Sequence, residues 1–116
     1  MIAETLQKIV ETTPGAIAAS FMDADGIAIE THVVGSDVDI ETVAAEFSVR
    51  FKSLQEASVA LELGGINDMT VKMDEATLIV RFLGEYYVVL LLKPEGLTGK
   101  GRYKLRSTAS VFREMI

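Results

Sequence analysis

Residues 39–63 read DIETVAAEFSVRFKSLQEASVALEL, and their spacing predicts one long helix with two apolar faces where a surface helix ordinarily has one. Ile40, Ala44, Phe47, Phe51, Leu54, Ser58 and Leu61 recur at alternating steps of four and three, a stripe at the helical period that is expected to cover a sheet. Roughly opposite lie Thr42, Ala45, Val49, Ser53 and Ala60, flanked by Ala57. All are small or short side chains, and such a face admits a second backbone closely. A chain of this length builds only a modest core and leaves most of its helices half wet. An interface with another chain is therefore favoured over burial of both faces in a single core.

On the N-terminal side, Gly35, Ser36, Asp37 and Asp39 break the pattern. They offer oxygens and negative charge to the orphan amides at the start of a helix expected to begin near Val38. Gly64-Gly65 is expected to stop it. Glu46 with Arg50 and Lys52 with Glu56 stand four apart on its flank, pairs worth tenths of a kcal/mol each.

Farther upstream, Ile2, Leu6, Ile9 and Val10 form the stripe of a short helix that ends before Pro14-Gly15. Residues 16–22 are apolar on both alternating faces, as in a central strand covered above and below. Asp25-Gly26 reads as a tight turn with positive φ values. It leads into a strand where Ile27, Ile29, Thr31 and Val33 alternate with Ala28, Glu30 and His32.

Downstream, Met69, Val71 and Met73 alternate with Asp68, Thr70 and Lys72, as in a strand with one wet face near a sheet edge. Asp74-Glu75 and Gly84-Glu85 turn the chain into strands over 76–83 and 86–92. After Lys93-Pro94-Glu95-Gly96, the residues Leu105, Ala109, Phe112 and Ile116 mark a closing helix. The order is α-β-β-α-β-β-β-α, an α+β fold with one five-stranded antiparallel sheet. Local connections and the two most apolar strands give the sheet order 2-1-5-4-3, with long helix 2 on one face and helices 1 and 3 on the other. Residues 1–116 are read as a single domain.

Composition narrows the function. With 49% hydrophobic and 24% charged residues the chain is globular rather than disordered. It lacks cysteine, which removes disulfides, thiolate chemistry and cysteine-based metal sites. No apolar run reaches the roughly 18 residues that span a bilayer. The N-terminal MIAETLQKIVETTPG is acidic and amphipathic, unlike the basic start of a signal peptide. A cytoplasmic protein without direct membrane insertion is expected. The net charge of −6 argues against nucleic acid or an anionic membrane as the main partner. That charge is uneven: Lys100, Arg102, Lys104, Arg106 and Arg113 against Glu114 give residues 97–116 a net +4, leaving −10 for residues 1–96. A basic final helix beside an acidic body is the simpler reading, and a docking patch for an acidic partner the alternative.

Motifs that carry chemistry mostly fail their physical tests. Thr98-Gly99-Lys100-Gly101 has Pro94 where a phosphate-binding loop needs glycine and Gly101 where it needs a metal-binding hydroxyl. As a dinucleotide fingerprint, Gly99-x-Gly101 has Lys104 in place of the third glycine. Setting Gly26 as the turn glycine of a calcium loop puts Phe21 and His32 at ligand positions. The aspartates around it, Asp23 and Asp25, read as turn chemistry. His32 is the only histidine, so no multi-histidine metal site exists, and no orienting acid for a catalytic couple is identified. Tyr86, Tyr87 and the methionines read as core and rim. No cofactor, metal or catalytic residue is assigned, and an enzyme is not expected. A small-ligand sensor would need a polar cluster to fix its ligand, and the alternating large apolar residues show none.

The element order, the Phe21-Met-Asp-Ala-Asp-Gly-Ile-Ala hairpin, the long helix closing at Leu63-Gly-Gly and the strands between Met69 and Leu92 resemble the roadblock/dynein light chain family, including its bacterial Mgl-type members. The resemblance covers nearly the whole chain. It implies a roadblock/longin-like fold and a non-catalytic homodimer that binds a Ras-like small GTPase, as a regulator in cell polarity or motility. Alternatively, it implies a scaffold subunit of a motor or signalling complex. In that family the long helices of two protomers pair and the third strands join two sheets into one. This agrees with the separate reading of Thr42, Ala45, Val49, Ser53 and Ala60 as a close-packing face and of Met69 and Val71 as an edge strand. The helix pair is also the family's GTPase platform, which makes Glu46, Arg50, Lys52, Ser53 and Glu56 the partner-binding candidates beside their reading as a solvated flank. Arg50 is the best-placed basic residue there.

Overall fold

The computed structural model describes residues 1–35 and 37–116; Ser36, grouped above with the residues before the long helix, lies outside them. The chain runs α1 (Ile2–Thr12), β1 (Ala16–Asp23), β2 (Ala28–Val33), α2 (Ile40–Ala60), β3 (Asp68–Lys72), β4 (Thr77–Leu83), β5 (Tyr86–Leu92) and α3 (Thr98–Glu114). The strands form one sheet in the order β2-β1-β5-β4-β3, and all neighbours are antiparallel. The expected fold class, element order and strand order are all borne out.

Strand alternation divides the interior into two layers. Ala19 and Phe21 of β1, Val88, Leu90 and Leu92 of β5, and Ile79 and Leu83 of β4 meet Leu6, Ile9 and Val10 of α1 and Leu105, Ala109 and Phe112 of α3. The alternate residues Ala18, Met22, Leu78, Val80, Phe82, Tyr87, Val89 and Leu91 meet Ile40, Ala44 and Phe51 of α2. Phe51 anchors α2 by contacting Phe82 and Tyr87 at ring-centroid distances of 5.8 and 5.4 Å in tilted and edge-on geometry. Such pairs add about 0.5–1.5 kcal/mol each beyond area burial. Gly101, in the first turn of α3, is structural: a Cβ there would sit 2.8 Å from Ile79 Cδ1, so its absence lets α3 settle on the sheet.

Several local expectations are corrected. The β1–β2 turn is not a two-residue turn with two positive φ values, because only Gly26 is left-handed, at φ +86°. Asp23 and Ile27 close a three-residue loop, Asp23 N–H donating to Ile27 O at 3.0 Å. The Asp23 carboxylate accepts from the Asp25 and Ile27 amides at 2.9 and 3.1 Å. The register then slips between Phe21 and Met22. That bulge upsets the alternation of β2, and Ile27 and Ile29 end up exposed. Ile116 also lies exposed, beyond the end of α3.

Helix α2 begins at Ile40 rather than near Val38. Asp39, with non-helical backbone, caps it by accepting from Thr42 N–H at 3.1 Å and Thr42 Oγ1–H at 2.6 Å. The Thr42 hydroxyl's bond first, and then its amide's, hold the Asp39 carboxyl below its usual range. At the other end the helix stops before Gly64-Gly65. Glu62 takes the left-handed conformation at φ +58°, Glu62 N–H donates to Val59 O at 3.0 Å, and Leu63 N–H donates to Ser58 O at 2.9 Å. This is the paired closure of a Schellman motif, with Glu where glycine is usual.

The expected sheet-facing stripe holds only for the first half of α2. Ile40 is buried, Phe47 half-buried, Leu54 43% exposed and Leu61 69% exposed. These four are seven residues apart, and on a straight helix a seven-residue spacing slips by about 20° per repeat. Each successive member therefore rotates farther off the sheet, towards β3. Ser48, outside the expected stripe, is buried in its place.

Candidate protein-interaction surface

The outward side of α2 is built as its spacing predicts. With Ile40, Ala44, Ser48 and Phe51 buried, Thr42, Ala45, Val49, Ser53 and Ala60 are all exposed, and Val49 is 63% so. From Thr42 to Ala60 this face runs about 27 Å at 1.5 Å per residue. It offers small side chains around one apolar centre. Thr42 contributes chiefly its methyl, because its hydroxyl is held by Asp39.

On the flank towards β3, Glu46, Phe47, Arg50, Phe51, Met69 and Val71 line a groove of about 370 Å³. Met69 and Val71 lie opposite Val80 and Leu78, on the α2 side of the sheet, and both are half-buried. β3 pairs with β4 alone, so among the described residues its outer backbone edge is unpaired. Edges of this kind are templates for a further strand.

The four charged partner-binding candidates separate into two pairs, while Ser53 lies on the outward face already described. Arg50 Nη1 donates to the Glu46 carboxylate at 3.0 Å and to the Glu46 carbonyl at 2.8 Å, so these two form one unit beside the β3 groove. Lys52 and Glu56 do not form the expected ion pair; among the described residues the ion pairs are Met1 amine–Glu4, Arg50–Glu46 and Arg81–Asp68. Both side chains are exposed, and a basic residue preceding an acidic one is the less favourable order on a helix. Glu56 instead lines a second groove of about 590 Å³ with Gln55, Val59 and Ala60 of α2, Ala24, Gly65, Gly84 and Glu85 of nearby turns, and Tyr87. Burial pushes the Tyr87 hydroxyl up.

Sequence reasoning missed the apolar border of this surface. Leu54, Val59, Leu61 and Leu63 are all exposed: at about 100° per residue Leu54 and Leu61 fall on the β3 flank of α2, Val59 lines the groove on the opposite flank, and Leu63 follows the end of the helix. Their seven-residue drift was the available signal for Leu54 and Leu61. For Val59 and Leu63 the sequence carried none, since each depends on where the helix outruns the sheet.

Among solved structures the fold has counterparts over nearly its whole length. A Roadblock/LC7 domain from Streptomyces avermitilis superposes with a TM-score of 0.85 at 18% identity, covering 97% of this chain and 95% of that one. MglC from Myxococcus xanthus gives 0.69 at 29% identity, covering 97% of each chain. An MglB described as having a tetrameric arrangement gives 0.82 at 19% identity, covering 93% of this chain and 82% of that one. No family model and no curated protein matches the sequence. Three helices around a five-stranded antiparallel sheet in the order β2-β1-β5-β4-β3 are the roadblock fold, as the hairpin and long helix led one to expect.

Proposed function

We propose that this roadblock-fold chain is a non-catalytic regulator or adaptor that forms a homodimer through α2 and the β3 edge and holds a Ras-like small GTPase on the paired helices. The observation that carries the proposal is the exposed face Thr42, Ala45, Val49, Ser53 and Ala60, bordered by Leu54 and Leu61 and continuous with an unpaired strand edge. Isolated exposed apolar residues are ordinary on any surface, whereas a contiguous band with a polar rim is the mark of an interaction site. The seven-residue spacing supports a second helix as occupant, because side chains that drift at this rate stay in contact with a neighbour wound gently around them. The tetrameric arrangement of one MglB supports self-association of the fold.

On such a pair Glu46, Arg50, Lys52 and Glu56 form a charged rim around the apolar seam. A GTPase docked there is biased towards one nucleotide state by contacts that differ between its switch conformations, since a ligand shifts an equilibrium only by differential affinity. Arg50 already spends its guanidinium on Glu46, so it serves as a platform residue, and the catalytic groups belong to the GTPase. Val49→Arg and Ser53→Arg each place a charge in the seam, and folded monomers are expected by light scattering; dimers in both variants refute the assignment of this face. Pull-down from source cytoplasm with GDP or a non-hydrolysable GTP analogue is expected to recover a small GTPase in one nucleotide state. Its absence from both removes the partner from the proposal and leaves the dimer standing.

A further inference from the structure

We propose that the flank of α3 facing β3 binds an acidic segment of a partner protein through Arg102, Arg106 and Arg113, with Arg81 beneath them. The buried positions Gly101, Leu105, Ala109 and Phe112 fix the rotation of α3. At about 100° per residue, Lys104, Thr108 and Val111 fall on one flank, where they line a groove with α1. Arg102, Arg106 and Arg113 fall on the other. Because α1 packs on β1 and β2 while α3 packs on β4 and β5, this second flank looks across the sheet towards β3. Asp68, Thr70 and Lys72 of β3 lie opposite Arg81, Ile79 and Thr77, on the same side of the sheet as α3.

The charge there is unspent. All three α3 arginines are exposed, and none takes part in an ion pair among the described residues. Arg81 is 16% exposed, reaches Asp68 Oδ2 only at 3.4 Å, and has a buried Nε–H without an acceptor. An unmatched buried guanidinium donor costs free energy, and the long contact to Asp68 leaves the exposed part of the Arg81 guanidinium to an incoming carboxylate.

Geometry favours a protein segment over a bilayer or a nucleic acid. The arginines point sideways over the sheet, while Tyr103, Ser107 and Glu114 occupy the positions of α3 farthest from it, by the same 100° spacing. Glu4 and Glu11 are exposed on the neighbouring α1. A broad anionic surface would meet these carboxylates along with Lys8 and Lys100, and the chain's net −6 would repel it. A narrow extended segment avoids both. Arg102 and Arg106 are about 6 Å apart along the helix axis, close to the roughly 6.7 Å between alternate residues of an extended chain. Carboxylates at every second position therefore match Arg102 and Arg106, while Arg113 stands about 10.5 Å farther along the axis. The surface lies on the face of the sheet opposite α2, so its occupant and one bound to α2 do not compete.

The test is fluorescence anisotropy with a labelled peptide, Gly-Glu-Thr-Glu-Thr-Glu-Gly, at low and at physiological ionic strength. Binding that weakens with salt is expected. Arg102→Glu with Arg106→Glu is expected to weaken it roughly tenfold or more, because like charges then face each other. Lys8→Glu with Lys93→Glu changes net charge equally and is expected to leave affinity essentially unaltered. Circular dichroism checks folding, and Arg113→Ala provides a milder variant with a smaller loss. Absence of binding, or equal losses in both charge-reversed pairs, overturns the proposal. So does tighter, arginine-dependent binding of phosphatidylserine vesicles or of a DNA oligonucleotide than of the peptide.

Discussion

Replacing Glu62 by glycine is expected to stabilise the chain. Glu62 ends α2 at φ +58°, a conformation that costs an L-residue about 1–2 kcal/mol and that glycine adopts freely. Glycine also loses more backbone entropy on folding, up to about 1 kcal/mol, which leaves a net gain of about 1 kcal/mol. The Glu62 carboxylate adds a second, smaller penalty, since a negative charge at a helix C-terminus opposes the dipole by about 0.3–1 kcal/mol when exposed. For 116 residues at about 2.1 cal/mol/K each, the unfolding entropy near Tm is about 0.24 kcal/mol/K, so 1 kcal/mol corresponds to about 4 °C. Thermal unfolding followed by circular dichroism at one fixed protein concentration, because self-association also shifts Tm, is the assay. Glu62→Gln removes only the charge and should recover the smaller part; Glu62→Gly should exceed it by about 4 °C. A Glu62→Gly variant no more stable than Glu62→Gln refutes the idea that backbone strain resides at this turn.

Gly26→Ala should destabilise by about 2 kcal/mol or more through its positive φ. Its new Cβ would also meet Ser48 Oγ at 2.5 Å, so Ser48→Ala in the same chain should restore only the contact part in urea titration. Phe51→Ala should cost roughly 3–5 kcal/mol at every protein concentration, as for a fully buried aromatic. Leu54→Ala with Leu61→Ala should instead lower Tm by lessening association, a concentration-dependent effect; identical concentration dependence in the two cases argues against a partner on that flank. Because the Asp39 carboxyl is held low by its hydrogen bonds to Thr42, its ionised form stabilises the fold above the ordinary carboxylate range, and that stability is lost as the pH falls through the folded-state value. The Tm difference between the wild type and Asp39→Asn should therefore shrink on acidification, and a constant difference would contradict this.

Local chemistry wrote most of the architecture into the residues. β1 and β5 are apolar at consecutive positions because each is covered on both faces, and with short connections this fixed the strand order. Where the sequence misled, the cause was geometry between elements. Leu54 and Leu61 match a helical stripe by composition, yet a seven-residue interval turns them away from the sheet. Glu62 rather than Gly64 closes α2 because the hydrogen bonds to Val59 and Ser58 complete the turn two residues early. The outward face Thr42, Ala45, Val49, Ser53 and Ala60 was legible because small residues repeated on one side. The division of Glu46 and Arg50 from Lys52 and Glu56 was not, since it depends on which flank adjoins β3.

Gly26 and Ser48 touch across the gap between a hairpin and a helix with no clearance to spare. A side chain at position 26 would meet Ser48 Oγ at 2.5 Å, so the two positions vary as one unit although they lie far apart along the chain. The tip of the hairpin thereby acts as a spacer that sets how high the first half of α2 rides above the sheet. Whatever seats itself on the outer side of that helix presses, through Ser48, on a loop it never touches.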